Sequence, residues 1–281
     1  MGLHTHHALT MSLLRRFQHH MTTNSQSNWL FVLPGLVLVA LLGLPLVALI
    51  WRAAGMDFFS FALAPNALSA LRLSLLTSGL SVLLAIATGT PLAYILARWK
   101  FRGKTALELL IDLPVVLPPS AAGLSLLIAF GRKGVFGREL TALGISLPFT
   151  TAAVILAQTF VSAPLYVRSA RIGFAAIDPQ LEEAAYTEGA NEWQVFRHVM
   201  SPLAGRALLS GAILTWTRAL GEFGATILFA GNLQGKTQTM PLAIYLGLEH
   251  SLGVALALSL MLVTSSLVLL AVLRRLDKEP H

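Results

Sequence analysis

Apolar residues gather into six stretches, each bounded by charged or interfacial residues. The first runs from Trp29 to Trp51 without a charge, bracketed by tryptophans, which favour the membrane–water boundary. The second runs from Leu73 to Ala97 between Arg72 and Arg98, and the third from Leu113 to Phe130 between Asp112 and Arg132. The fourth covers Leu147 to Val167, the fifth Ala207 to Ala230, and the sixth Leu252 to Leu273, ending at Arg274 and Arg275. Each holds roughly 18–25 residues, the length a helix needs to cross a hydrocarbon core. The pattern predicts an all-α membrane protein with six transmembrane helices. Residues 29–275 form the membrane domain, preceded by a polar leader at 1–28 and followed by a tail at 276–281.

Composition agrees. Of 281 residues, 55% are hydrophobic and 12% charged, about half the charge of an ordinary soluble domain. So few charges cannot coat a soluble globule, which excludes a soluble enzyme, a disordered chain and a fibre. With no cysteine, disulfides, thiol catalysis and thiolate metal centres are excluded. The net charge of +7 reads as topology-setting charge rather than as a nucleic-acid surface. Six spans put both termini on one side. Thirteen of the twenty Lys and Arg fall on that side, six on the other, and Arg218 lies within the fifth span. The positive-inside bias makes the thirteen-residue side, and both termini, cytoplasmic.

The leader holds five of the eight histidines (His4, His6, His7, His19, His20). It reads as a disordered segment, or as sequence upstream of a start at Met11 or Met21, in preference to a metal-binding tract. Arg15-Arg16 resembles a twin-arginine signal only faintly, and the apolar segment that follows is too long for a signal-peptide core. That segment is read as a retained helix.

No energy-converting chemistry is visible. A phosphate-binding loop needs a glycine five positions before its second glycine. Ahead of Gly235-Lys236-Thr237 that position is Ala230, and ahead of Gly103-Lys104-Thr105 it is Arg98. No HExxH metal motif occurs, and Glu249-His250 stands alone. The chain is read as no enzyme, with no cofactor or metal of its own.

The longest polar connection, Arg168 to Arg206, exceeds what a link requires. Asp178 is an N-cap, followed by Pro179 and by Glu182 and Glu183 in the early turns. Gly189 suits a left-handed helix end, and Asn191 with Gln194 makes a capping box for a second helix that stops at Pro202. Trp193, Phe196 and Val199–Met200 lie near one face of it. Such a helix either rests on the membrane or docks a cytoplasmic protein.

Glu183-Ala184-Ala185, Gly189 and Val199-Met200-Ser201-Pro202 carry a family resemblance. They are similar to the EAA, three residues, G, nine residues, I-x-L-P signature of the membrane subunits of bacterial ABC importers. Val199 stands for isoleucine and Ser201 for leucine. The resemblance implies a type I importer permease of the inner membrane, in which residues 178–202 couple to a dimer of ATPase subunits carrying ATP and magnesium. Glu183, Ala184, Ala185, Gly189, Trp193, Phe196 and Pro202 are the implied coupling residues.

Over about residues 70–275 the chain resembles the molybdate, sulfate and tungstate group. The resemblance rests on Leu113-Pro114-Val115-Val116-Leu117-Pro118-Pro119, on Arg218-Ala219-Leu220-Gly221-Glu222-Phe223-Gly224-Ala225-Thr226, and on Gly235 to Tyr245, which is most similar to the molybdate branch. It implies delivery of the anion by an extracytoplasmic molybdate-binding protein docking near 132–146 and 231–241, and a homodimeric pore set in lipid. Sulfate permeases pair two different subunits.

Pathway or gate candidates are Pro118, Pro119, Gly123, Arg218, Glu222 and Phe223. Arg218 and Glu222 lie four residues apart, on one helix face, at a depth where an unpaired charge costs at least about 2.5 kcal/mol. An internal ion pair, contact with a passing oxyanion, and gating by rearrangement of the pair all remain open. The prolines bend a gate or have no function, and Gly211, Gly221 and Gly224 permit close packing of two copies or face lipid. The rivals are another oxyanion as cargo and an ion-coupled secondary transporter. The second calls for acids on several spans, whereas only Glu222 is available.

Overall fold

A computed structural model describes residues 29–277. The expectations for 1–28, the histidines and Arg15-Arg16 included, and for 278–281 lie outside the described residues. The chain divides into two units, 1–52 and 53–281. The first holds most of α1 (Trp29–Ala54), a 26-residue helix with a mean hydropathy of 2.7 and prolines at 34 and 45.

The second unit contains α2 (Phe58–Ala62), α3 (Pro65–Arg98), α4 (Lys104–Val116), α5 (Pro119–Phe130), α6 (Gly137–Ala142) and α7 (Thr151–Ala175). Then come α8 (Pro179–Thr187), α9 (Glu192–Val195), a π-helical turn (Phe196–Met200), α10 (Ser201–Leu203) and α11 (Gly205–Leu220). The last are α12 (Gly224–Phe229), α13 (Met240–His250) and α14 (Leu252–Asp277). All regular structure among the described residues is helical.

Four helices (α1, α3, α7 and α14) are long and apolar enough to cross a membrane, and α4 with α5 makes a fifth if counted as one bent span. Six spans were expected, the third bent by its prolines, and two of the stretches are divided into separate helices. In the third, α4 and α5 are bent by 116°. Leu117 and Pro118 each precede a proline, which disfavours helical ψ, and both adopt ψ 137. Prolines 118 and 119 also offer no N–H to continue the ladder. The fifth stretch, Ala207 to Ala230, is interrupted at 221–223, leaving a 16-residue and a 6-residue helix. The fourth is longer than expected: α7 starts at a Thr150 cap, whose hydroxyl accepts the Ala153 N–H, and continues past Val167 through Arg168 and Arg171.

The core of the second unit is α3 against α7, with α11 across both. The buried line of α3 is mostly small: Ala67, Ala70, Ser74, Ser78, Ser81, Ala85, Gly89 and Ala93, at three- and four-residue spacing. Small residues let helix backbones approach closely where lipid supplies no hydrophobic drive. A Cβ on Gly89 would lie 2.9 Å from the Tyr166 ring and 3.1 Å from Val167.

The serines on this line act as polar ties. Ser74 Oγ accepts the Met240 N–H at 2.7 Å, and Ser78 Oγ accepts Trp216 Nε1–H at 2.9 Å. Ser81 Oγ lies 2.8 Å from the Thr77 carbonyl, 3.0 Å from that of Ile155 and 3.3 Å from Gln158 Oε1. These bonds satisfy groups that hydrocarbon would leave unpaired.

Candidate functional site

The connection between α7 and α11 folds as its local chemistry dictates. Asp178 caps α8 by accepting the Gln180 N–H at 2.9 Å, with Pro179 at the first turn. The helix ends at Gly189, whose φ of +86 only glycine adopts without strain. There the Gly189 and Ala190 N–H groups donate to the Tyr186 and Ala185 carbonyls, each at 3.0 Å. Asn191 and Gln194 form the expected reciprocal capping box, at 2.9 and 2.8 Å.

Beyond the box the structure differs from the expectation of one helix stopping at Pro202. After α9 the backbone widens into a π turn, closed by Ser201 N–H donating to the Phe196 carbonyl. Pro202 has no N–H and could not complete an α turn here. The helix path resumes as α10 and then α11, so Pro202 shapes a wide turn in place of a stop. The predicted apolar face is shifted: Val195 and Met200 are buried, Phe196 and Val199 half-buried, and Trp193 stays exposed while its ring stacks on Phe196 at 5.7 Å. Glu183 and Ala184 are exposed, and Ala185 is half-buried against the core.

A residue read only as a span boundary turns out to anchor this segment. Arg98, the last residue of α3, pairs through Nε with Glu182 Oε1 at 2.5 Å. Its Nη2 donates to the Ile177 carbonyl at 2.9 Å and lies 3.8 Å from the Met200 sulfur. One helical turn earlier, the Tyr94 ring meets Phe174 and Phe196 edge-on, at 5.6 and 5.4 Å. Two further ion pairs, Arg168–Asp112 at 2.9 Å and Arg171–Glu108, tie α7 to α4.

The pathway candidates come together at the two helix interruptions. α5 packs against α12. A Cβ on Gly123 would lie 2.8 Å from the Ala225 carbonyl oxygen, and one on Gly224 would lie 2.4 Å from Pro119 Cβ. Pro119 and Gly123 thus abut the residues directly after Glu222 and Phe223, with Pro118 exposed at the bend. The Glu222 carboxylate, 1% exposed, accepts from Arg218 Nη1 at 2.6 Å and from the Ala225 N–H at 2.8 Å. It therefore pairs a charge and caps the first turn of α12. The pair is formed in this structure. The Arg218 side chain is 35% exposed, and the Phe223 ring lies 5.4 Å from that of Tyr245.

The loops around 131–137 and 231–239 are ordered by their own backbone. Val135 and Phe136 N–H donate to the Ile128 and Ala129 carbonyls at 2.9 Å, which leaves Arg132, Lys133, Val135 and Phe136 exposed. In the 231–239 loop the Leu233 carbonyl accepts from the N–H groups of residues 236, 237 and 238. Thr151 Oγ1 donates to the Lys236 carbonyl at 2.9 Å.

Several membrane-length helices and two interrupted ones packed on each other define a polytopic membrane protein. Residues 89–280 match the family model described as binding-protein-dependent transport system inner membrane component, and the chain belongs to that family. It is 43% identical over 246 residues to the molybdenum transport system permease protein ModB of Mycobacterium tuberculosis, covering 87% of this chain and 93% of that one. It is 36% identical over 231 residues to the sulfate transport system permease protein CysT of Escherichia coli, covering 81% and 83%. In fold it matches a chain of a bacterial alginate ABC transporter in complex with an alginate pentasaccharide-bound periplasmic protein, with TM-score 0.68, 18% identity and coverage of 88% and 91%.

Proposed function

We propose that the chain is the membrane-spanning permease subunit of an ATP-driven importer, translocating molybdate or tungstate into the cytoplasm after delivery by an extracytoplasmic binding protein. The observation that carries the reading is the exposed, doubly capped segment 178–202. It presents Glu183, Ala184 and Trp193 outward and holds them by buried ties to the membrane helices. Two ATPase subunits dock there and supply ATP and magnesium, while this chain binds no cofactor. The binding protein docks on the outer loops near 132–146 and 231–241. A second copy completes the pore, lipid surrounds it, and both termini face the cytoplasm. Closure of the ATPases draws the coupling segments together and opens the pore outward; hydrolysis resets it. Each state is favoured by its own contacts.

The cargo reading is supported by the ModB relative at 43% identity. The sulfate reading, supported by the CysT relative at 36%, is the alternative. The test is ATP hydrolysis in vesicles by this chain with its ATPase, with added binding protein loaded with molybdate, tungstate or sulfate. Stimulation by molybdate or tungstate and not by sulfate is expected. Stimulation by sulfate alone overturns the cargo, and failure of the ATPase to associate overturns the coupling assignment.

A further inference from the structure

The segment 178–202 follows α7 in sequence, yet its strongest polar attachment is to α3. Arg98 reaches Glu182 in α8, Met200 in the π turn and, just ahead of the segment, the Ile177 carbonyl. Both members of the Arg98–Glu182 pair are only 14% exposed. Tyr94, on the same face of α3 four residues earlier, adds the Phe196 ring of the second half. The two halves are thus gathered on the last turn of one helix.

The opposite end of that helix is tied just as specifically. Asn66, in the first turn of α3, is hydrogen-bonded to Gln234, and Ser74 Oγ holds the Met240 N–H at the end of the 231–239 loop. α3 has 34 residues and spans about 51 Å at 1.5 Å per residue. Its middle packs on α7 along a line of small residues and is tied to it by Ser81, which donates to the Ile155 carbonyl, and by Thr90, whose hydroxyl meets that of Tyr166 at 2.6 Å. One helix, with Pro91 inside it, thus joins the segment proposed to dock the ATPase to the loop proposed to receive the binding protein.

We propose that Arg98 is a positioning residue that makes the docking segment move with α3, so that displacement of α8 reaches the 231–240 loop through this helix. The proposal rests on the reading of 178–202 as the ATPase-docking segment. The physical warrant is an element tied at both ends, whose position both ends can bias.

The chain has no cysteine, so paired cysteines at Lys100 and Gln180, both exposed, carry spin labels cleanly. In the full chain the label–label distance distribution is expected to be narrow. Arg98→Gln and the double variant should broaden it alike, and Glu182→Gln, which leaves the Arg98 bond to the Ile177 carbonyl, should broaden it less. Arg98→Lys, which keeps the charge but not the forked donors and serves as the folding control, should broaden it less than Arg98→Gln. Unchanged widths in the Gln variants, or a double variant that sums the two single effects, overturn the proposal.

In the reconstituted complex, Arg98→Gln should cut the stimulation of ATP hydrolysis by loaded binding protein roughly tenfold, within the range seen for residues along a coupling network, while basal hydrolysis persists. Wild-type stimulation in that variant also overturns the proposal. Should the ATPase fail to associate even with the unaltered chain, the functional reading falls, while the label distances still report on the Arg98 tie.

Discussion

Glu222 holds the Arg218 guanidinium at 2.6 Å with one carboxylate oxygen and the Ala225 N–H at 2.8 Å with the other. One buried anion thereby neutralises a charge in α11 and starts the next helix. The two partners differ in burial, 1% for the acid and 35% for the arginine, so their removal has unequal consequences. Arg218→Ala leaves a buried carboxylate unpaired and is expected to cost about 3 kcal/mol, the lower end for breaking a buried pair. Glu222→Ala leaves a partly hydrated guanidinium and one N–H, and should cost less. The double variant should cost less than the sum. Thermal unfolding in detergent reads all three, and equal losses for the two single variants would contradict the asymmetry.

Gly189 separates backbone strain from steric exclusion. Its φ is +86, and no neighbouring atom lies within 4 Å of a Cβ built there. Gly189→Ala should therefore cost only about 1 kcal/mol, the left-handed penalty, and Gly189→Asn less. Gly189→Trp adds bulk to the proposed docking face and should abolish uptake while the protein remains in the membrane, as should Glu183→Lys. Normal molybdate uptake in either variant would remove the coupling role from this segment.

The contact between the interrupted helices is tighter. A methyl on Gly224 meets Pro119 Cβ at 2.4 Å, and one on Gly123 meets backbone at Ala225. Gly224→Ala and Gly123→Ala should each cost about 1–3 kcal/mol by overpacking. The measurement is the melting temperature against that of Gly79→Ala, a helix site with open space, which should lose nothing.

The capping box has a directional signature. Asn191→Ala should cost about 1 kcal/mol and Asn191→Ser only a fraction of that. Both should show first as faster hydrogen exchange across residues 192–196 rather than as loss of the whole fold.

The sequence made the caps legible because they are local. Asp178, Gly189 and the Asn191–Gln194 box involve residues at most three apart, and each sits where its type predicts. The membrane helices were legible as apolar stretches, but hydropathy is blind to a break that keeps the stretch apolar. Leu117-Pro118-Pro119 carried a signal for its bend. The interruption at 221–223 carried only Glu222, and a charge four residues from an arginine is equally expected on an unbroken helix. The Arg98–Glu182 tie spans 84 positions, so each residue could be assigned only a local duty: the arginine a boundary, the acid a dipole partner. The serines of α3 carried no signal for their partners, because Trp216 and Met240 lie 138 and 166 positions away.

The π turn at Phe196–Met200 has one more consequence. A wide turn takes up one residue more than an α turn, so everything after it is rotated by about 100° relative to an uninterrupted helix. The exposed Trp193 and the buried stripe of α11 are therefore set in angular phase by this one inserted position. Residues five positions apart lie about 140° apart around an unbroken α-helix, and the wide turn instead brings Val195 and Met200, both buried, onto one side.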